Sequence, residues 1–250
     1  MRKIFIFIIR FLALPLCAFA QEITVAVAAN VQFALEEIKT AFEKNTGIHV
    51  KTIIGSSGKL TAQIENGAPF DIFMSADVDY PNRLYQEGLA TGAPKIYAYG
   101  QLVLWTFQDI ELSKGIAILS DNSIKKIAIA SPNGAPYGRQ AVNAMKYNRL
   151  YPNIKSKLVY GENIAQVNQF ITTGSVDIGL TAKSVVLADN MKGKGKWIEV
   201  DPEAYEPIAQ GVVILKYAQK EHLKSVQEFF DFLFSDQCKQ IFEKYGYKLP

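Results

Sequence analysis

Cysteine is almost missing from this 250-residue chain, which holds only Cys17 and Cys238. A disulfide framework is therefore excluded as its source of stability. Cys238 reads as a small buried apolar residue on a C-terminal helix. Histidine is equally scarce. His49 and His222 lie far apart with no second ligand at useful spacing, so no zinc or iron centre is expected. No apolar run reaches the ~20 residues of a membrane span. Low-complexity segments, solenoid periods and a Pro/Gly/Ser-rich linker are also lacking. Asp77-Val78-Asp79 opens like a calcium loop, but the glycine and distal glutamate are missing, so a helix cap from Asp77 or Asp79 is the plainer reading. Gly55-Ser56-Ser57-Gly58 satisfies neither the G-x-S-x-G elbow nor the phosphate-binding P-loop spacing.

An excess of one charge is missing too, once the N-terminus is set aside. Met1-Arg2-Lys3, an apolar run from Ile4 to Leu16 broken by Arg10, and Ala18-Phe19-Ala20 describe a secretory signal over residues 1–20, cleaved after Ala20. Cys17 raises the rival of a lipid anchor, against which Leu16 stands where a small residue is wanted. Of 27 Lys+Arg and 24 Asp+Glu, three basic residues (Arg2, Lys3, Arg10) belong to the signal. The remaining 230 residues are formally neutral, which argues against a nucleic-acid surface. The glycine-spaced basic run Lys192 to Lys196 reads as a solvated turn.

What is present is an alternation of apolar strand-like runs and amphipathic helices. Ile23–Ala28, Val50–Ile54 and Asp71–Ala76 read as strands, with helices after the first two. The pattern returns with strands at 102–107, 127–130, 158–160, 177–180, 197–200 and 212–215, helices at 139–148 and 164–172, and an amphipathic helix through Leu223 to Leu233. Such βαβ repetition argues for parallel sheets covered by helices, in an α/β fold whose two lobes share the chain discontinuously.

Four turns carry the chemistry. Ala28-Ala29-Asn30, Gly55-Ser56-Ser57-Gly58, Pro136-Tyr137-Gly138 and Gly161-Glu162-Asn163-Ile164 each follow a strand and precede a helix. Free N–H groups at the positive ends of several helices make an anion site without a fixed positive charge. In open parallel sheets ligands bind beyond the carboxyl ends of strands, where these turns lie. Asn30 and Ser57 can add side-chain donors. Taken singly, Asn30, Ser57 and Asn163 are also ordinary N-cap residues.

These residues also carry a resemblance. Val27-Ala28-Ala29-Asn30, Gly55 through Leu60, Gln63 through Pro69, Asp71 through Asp77 and Ile241 through Tyr247 resemble the periplasmic molybdate-binding proteins of ABC transporters, a class II family of two-lobed solute-binding proteins. The resemblance implies a fold of two mainly parallel sheets flanked by helices and joined by two crossing strands near Gln101 and Gln210. Lobe one would span 21–100 and 211–250, lobe two 101–210. It implies a molybdate or tungstate site formed by Asn30, Ser57, the Tyr137 and Ile164 backbone, and Ala29, with no cofactor and no catalysis. It further implies a periplasmic location, a membrane permease as partner, and a monomer. Many members place a tyrosine donor where this chain has Ala182. Rivals are the same scaffold binding sulfate or a small organic anion, with Arg139 and Glu162 as the charged candidates, and a secreted hydrolase using Ser57.

Overall fold

The computed structural model describes residues 22–220 and 223–250. The signal segment with its cleavage point, Cys17 and His222 lie outside the described residues.

The first strand, β1 (Glu22–Ala28), has Ile23, Val25, Ala26 and Val27 fully buried, as suits a strand covered on both faces. It pairs in parallel with β2 (His49–Gly55) and β3 (Ile72–Met74). Helix α1 (Gln32–Thr46) returns the chain from β1 to β2, burying Ala34, Leu35, Ile38 and Phe42 at helical spacing. Helices α2 (Ser57–Glu65) and α3 (Asp79–Gln86) follow β2 and β3. β4 (Lys95–Gly100) is the edge strand, and β10 (Ile208–Ile214) lies antiparallel between β3 and β4. The first sheet therefore runs β2-β1-β3-β10-β4. Two C-terminal helices, α8 (Leu223–Phe232) and α9 (Asp236–Lys244), cover it from the α1 side. There Phe42 packs edge-on against Phe229 at 5.0 Å, and Cys238 is buried in the same cluster.

The second sheet, β7-β6-β8-β5-β9, is drawn from one continuous stretch. β6 (Ile127–Ala130) pairs in parallel with β7 (Leu158–Gly161) and β8 (Ile178–Ala182). β5 (Leu102–Thr106) runs antiparallel to β8 and β9 (Lys196–Glu199). Helices α4 (Pro136–Tyr147), α5 (Tyr151–Ile154), α6 (Ile164–Thr172) and α7 (Lys183–Val186) complete this lobe. The core around fully buried Trp105 is drawn mainly from this lobe, with Ala28, Ala29 and Ala76 of the first joining it at the interface. The chain passes between the sheets twice, at Gln101 and between Glu199 and Ile208.

Several elements differ from the expected pattern. β4 was not anticipated, and β10 begins four residues before Val212. The early start of β10 traces to Gln210, a polar residue with no exposed surface inside a strand. The pairing of β10 with β4 also shifts register between Gln210 and Gly211. Of the two acids considered as a cap, Asp77 serves: its Oδ1 accepts from the Tyr80 N–H at 3.2 Å.

Candidate functional site

The four turns meet. Ala28, Ala29, Asn30, Gly55, Ser56 and Ser57 from the first lobe, with Ala135, Pro136, Tyr137, Asn163 and Ile164 from the second, line one small cavity of about 10 Å³; Ala76 at the end of β3 completes it. Each turn sits at a strand's carboxyl end because the parallel strands β1, β2, β6 and β7 all point their C-termini toward the gap between the lobes. Ala76 had no turn signature and was not anticipated.

The cavity wall is rich in donors. The first N–H groups of a helix have no carbonyl four residues back to bond. Those of Ser57, Tyr137 and Ile164 have no acceptor elsewhere among the described residues, nor has that of Asn30. Ser57 adds its hydroxyl. The Oγ accepts from the Ala76 N–H at 3.0 Å, which occupies a lone pair and leaves the proton to donate. Ser57 is therefore not an N-cap; that role falls to Ser56, without a side-chain bond. Asn163 is an N-cap, accepting from Gln166 N–H at 3.1 Å. Ala29 gives its N–H to the Gly55 carbonyl at 3.0 Å, so only its small methyl side faces the cavity.

Asn30 is used differently from the sequence expectation. Its Nδ2 donates to Gln210 Oε1 at 2.7 Å and to the Tyr247 hydroxyl at 3.3 Å. Its carbonyl accepts from Tyr247 at 2.8 Å and from Ser184 of the second lobe at 2.8 Å. Tyr97 joins the group: its single hydroxyl proton lies between two acceptors, Gln210 Oε1 at 2.9 Å and the Ser75 carbonyl at 3.1 Å. The carboxamide thus anchors the first turn to the hinge, leaving the peptide N–H as the group available to the cavity. Desolvation pushes the Tyr247 phenol up to about 12, against the lowering effect of its hydrogen bonds to Ser184, Asn30 and Gln210. The resemblance marked Gln210 as a crossing point and Tyr247 as part of a family stretch, but the bonding roles of Gln210, Tyr97, Tyr247 and Ser184 were not expected, since polar residues so far apart form no motif.

The Tyr137 phenol points into this same hinge, not toward solvent. Its oxygen would lie 2.0 Å from a β-carbon placed on Gly100, so only glycine fits there. Burial raises its pKa well above the usual tyrosine value, with Tyr247 and Tyr97 adding to the rise. Asn30 lies near enough to oppose that rise slightly, but no bond of acceptable geometry joins them, and the oxygen is buried without a partner.

Charges near the cavity are paired with each other. Arg139 Nη2 bonds Asp77 Oδ2 at 2.9 Å, and Glu162 pairs with Lys59 at 2.9 Å. Both pairs join the lobes, as do the Gly58 N–H to Gly134 carbonyl bond at 2.9 Å and Tyr80 hydroxyl to Asn133 carbonyl at 3.3 Å. The structure is that of a closed cleft. His49 sits at the start of β2, the far end from Ser57, with Nδ1 2.8 Å from Glu43. Among the described residues no group of three or more His, Cys, Asp or Glu is placed to hold a metal, and no helix is long and apolar enough to cross a membrane.

Two α/β lobes closed over a donor-lined cleft define the solute-binding protein class. Residues 23–248 match the family of bacterial extracellular solute-binding proteins, and the chain belongs to it. It is 38% identical to the molybdate-binding protein ModA of Azotobacter vinelandii over 237 residues, covering 94% of this chain and 93% of that one. It is 37% identical to the Rhodobacter capsulatus molybdate-binding protein ModA, covering 94% and 91%. The solved periplasmic molybdate-binding protein of Azotobacter vinelandii superposes with a TM-score of 0.86 at 31% identity, over 91% of this chain and 99% of that one. The sulfate-binding protein SubI of Mycobacterium tuberculosis superposes at 0.76 with 17% identity, over 92% and 87%, a likeness of fold.

Proposed function

We propose that this protein captures molybdate or tungstate between its lobes in the periplasm and delivers it to the permease of an ABC transporter. The ligand would be held by the N–H groups of Asn30, Ser57, Tyr137 and Ile164 and by the Ser57 hydroxyl, with Ala29 shaping the wall. The observation that carries this reading is a wall of unspent donors from which the neighbouring ions have been withdrawn into pairs. The relatives named as molybdate-binding proteins support the choice of anion. Lobe one is read as residues up to 100 with 208–250 and lobe two as 101–207, the expected boundary at 210 moving back because the whole of β10 pairs in the first sheet; the protein is read as a monomer. Donors from both lobes would reach one anion only in the closed form, so the ligand would shift the population toward closure.

Selectivity follows from the donor set. Molybdate and tungstate are fully deprotonated dianions near neutral pH, and every oxygen can accept. Phosphate keeps a proton there, and its O–H would meet donors with no acceptor, an unmatched group costing ~1–3 kcal/mol. Sulfate has the right charge and shorter bonds, so cavity size alone discriminates against it. An organic acid finds no unpaired cation beside the cavity, since Arg139 and Lys59 are taken up by Asp77 and Glu162. Calorimetry with the four oxyanions tests the reading. Molybdate and tungstate should bind with similar affinity, sulfate weakly and phosphate not detectably. Phosphate binding as tight as molybdate would overturn it.

A further inference from the structure

The pairs that join the lobes differ in how they are built. Lys59 and Glu162 are about half exposed, at 54% and 49%, and such a pair is screened and worth little. Asp77 is only 14% exposed. It follows Ala76 of the cavity wall, and lobe one holds it in place: Oδ1 accepts from the Ser75 hydroxyl at 3.1 Å and the Tyr80 N–H at 3.2 Å. That leaves Oδ2 facing the other lobe, where it meets Arg139 Nη2 at 2.9 Å.

Arg139 lies in the first turn of α4, two residues beyond Tyr137, and so travels with the second lobe's part of the cavity wall. Its guanidinium stands over the Tyr80 ring at 6.0 Å, and its Nη1 reaches the 72% exposed Asp79 at 3.4 Å. Ala76 and Pro136 belong both to the ligand cavity and to the adjoining cleft lined by Asp77 and Arg139. A carboxylate fixed on one lobe and a fork-shaped cation fixed on the other can meet only when the lobes are shut.

We propose that Arg139 and Asp77 form a latch that sets how long the closed cleft retains its ligand, with Asp77 as the fixed half and Arg139 as the arriving half. The latch rests on the reading of the lobes as closing around an oxyanion. It holds the lobes without touching the anion, so it governs release more than capture. Asp79, exposed and farther away, is a minor arm. Because each single substitution breaks the same pair, their effects should not add.

Stopped-flow release of molybdate tests this in wild type, Arg139→Gln, Asp77→Asn, the double variant and Asp79→Asn. Arg139→Gln and Asp77→Asn should each speed release about tenfold, as expected for a close, partly desolvated charge pair, while association changes little. The double variant should match the singles, Arg139→Lys should fall between wild type and Arg139→Gln, and Asp79→Asn should stay within about twofold. A ligand-free measurement separates failure of the latch from failure of the molybdate reading. With spin labels at Tyr85→Cys and Tyr147→Cys, one on each lobe, breaking the pair should shift the distances toward longer values. Wild-type release rates and distances in both single variants would overturn the latch, as would additive effects in the double.

Discussion

Gly58 offers a substitution that should stabilise the protein and yet weaken its binding. It is the second residue of α2 and gives its N–H to the Gly134 carbonyl across the cleft at 2.9 Å. A β-carbon at Gly58 would lie 2.9 Å from Gly134 Cα, 3.2 Å from the Gly134 oxygen and 2.8 Å from the Tyr80 hydroxyl. The tyrosine can swing aside, but the Gly134 backbone cannot without moving its lobe. Ordinary contact for a β-carbon begins near 3.4 Å. In Gly58→Ala the lobes must therefore stop about half an ångström short of full closure, or overpack at a cost of ~1–3 kcal/mol. Stretching the Gly58–Gly134 bond costs up to about 1 kcal/mol more. Together these weaken binding by roughly 10- to 1,000-fold. In the open form Gly134 is elsewhere, and alanine in the first turn of α2 is the better helix former by up to ~1 kcal/mol. The variant should thus lose molybdate affinity in calorimetry while its ligand-free melting temperature stays level or rises. Unchanged affinity would refute the closure geometry, and a matching loss of ligand-free stability would show that the Gly58–Gly134 contact belongs to the resting fold.

Three further outcomes are expected. Ser57→Ala should cost about 1.5–3 kcal/mol of molybdate affinity, the worth of a hydrogen bond to a charged group, whereas Ser56→Ala should cost clearly less by calorimetry. Tyr137→Phe should leave affinity within about threefold and stability level or improved, because it deletes a buried hydroxyl that lacks a partner and spares the peptide N–H; thermal unfolding with and without molybdate reads both. Tyr247 has a folded pKa of about 12 against an ordinary 10, so the stability it contributes is fully present below pH 10 and is lost as pH rises through 12. That loss amounts to roughly 2–3 kcal/mol, and denaturation of wild type and Tyr247→Phe from pH 8 to 12 should show the two stabilities converging.

The ligand cleft was readable because its parts are local. Each of its four turns is a short polar or glycine-containing stretch between a strand-like run and a helix, and the parallel topology then delivers all four to one gap. The hinge beside it was placed near Gln101 and Gln210 only through the resemblance, and its hydrogen-bond network was not readable. Gln210 bonds Asn30 and Tyr97 across 180 and 113 residues, and nothing near it in sequence distinguishes a buried glutamine from turn chemistry. That also hid the start of β10, which carries the glutamine. Asn30 was located correctly at the cavity, but its carboxamide serves the hinge, a choice that only the partners could reveal. Asp77 read as a helix cap and Arg139 as a charged candidate for an organic anion, until the fold set the two face to face.

The strand order of the first sheet has a bearing on how the molecule is made. β10 is not an addition at an edge; it stands between β3 and β4, and β4 pairs with no other strand of the sheet. The second sheet, by contrast, is complete by Glu199. For a chain that emerges N-terminus first, lobe two has all its strands while lobe one still lacks an inner strand, α8 and α9. Its β1–β3 core must wait, apolar faces uncovered, for contacts as distant in sequence as Tyr247 with Asn30, 217 residues apart. Contacts of such separation are slow to form. The lobe begun first is therefore finished last, and the cavity between the lobes, where Asn30 is held by Gln210 and Tyr247, is among the last features the polypeptide acquires.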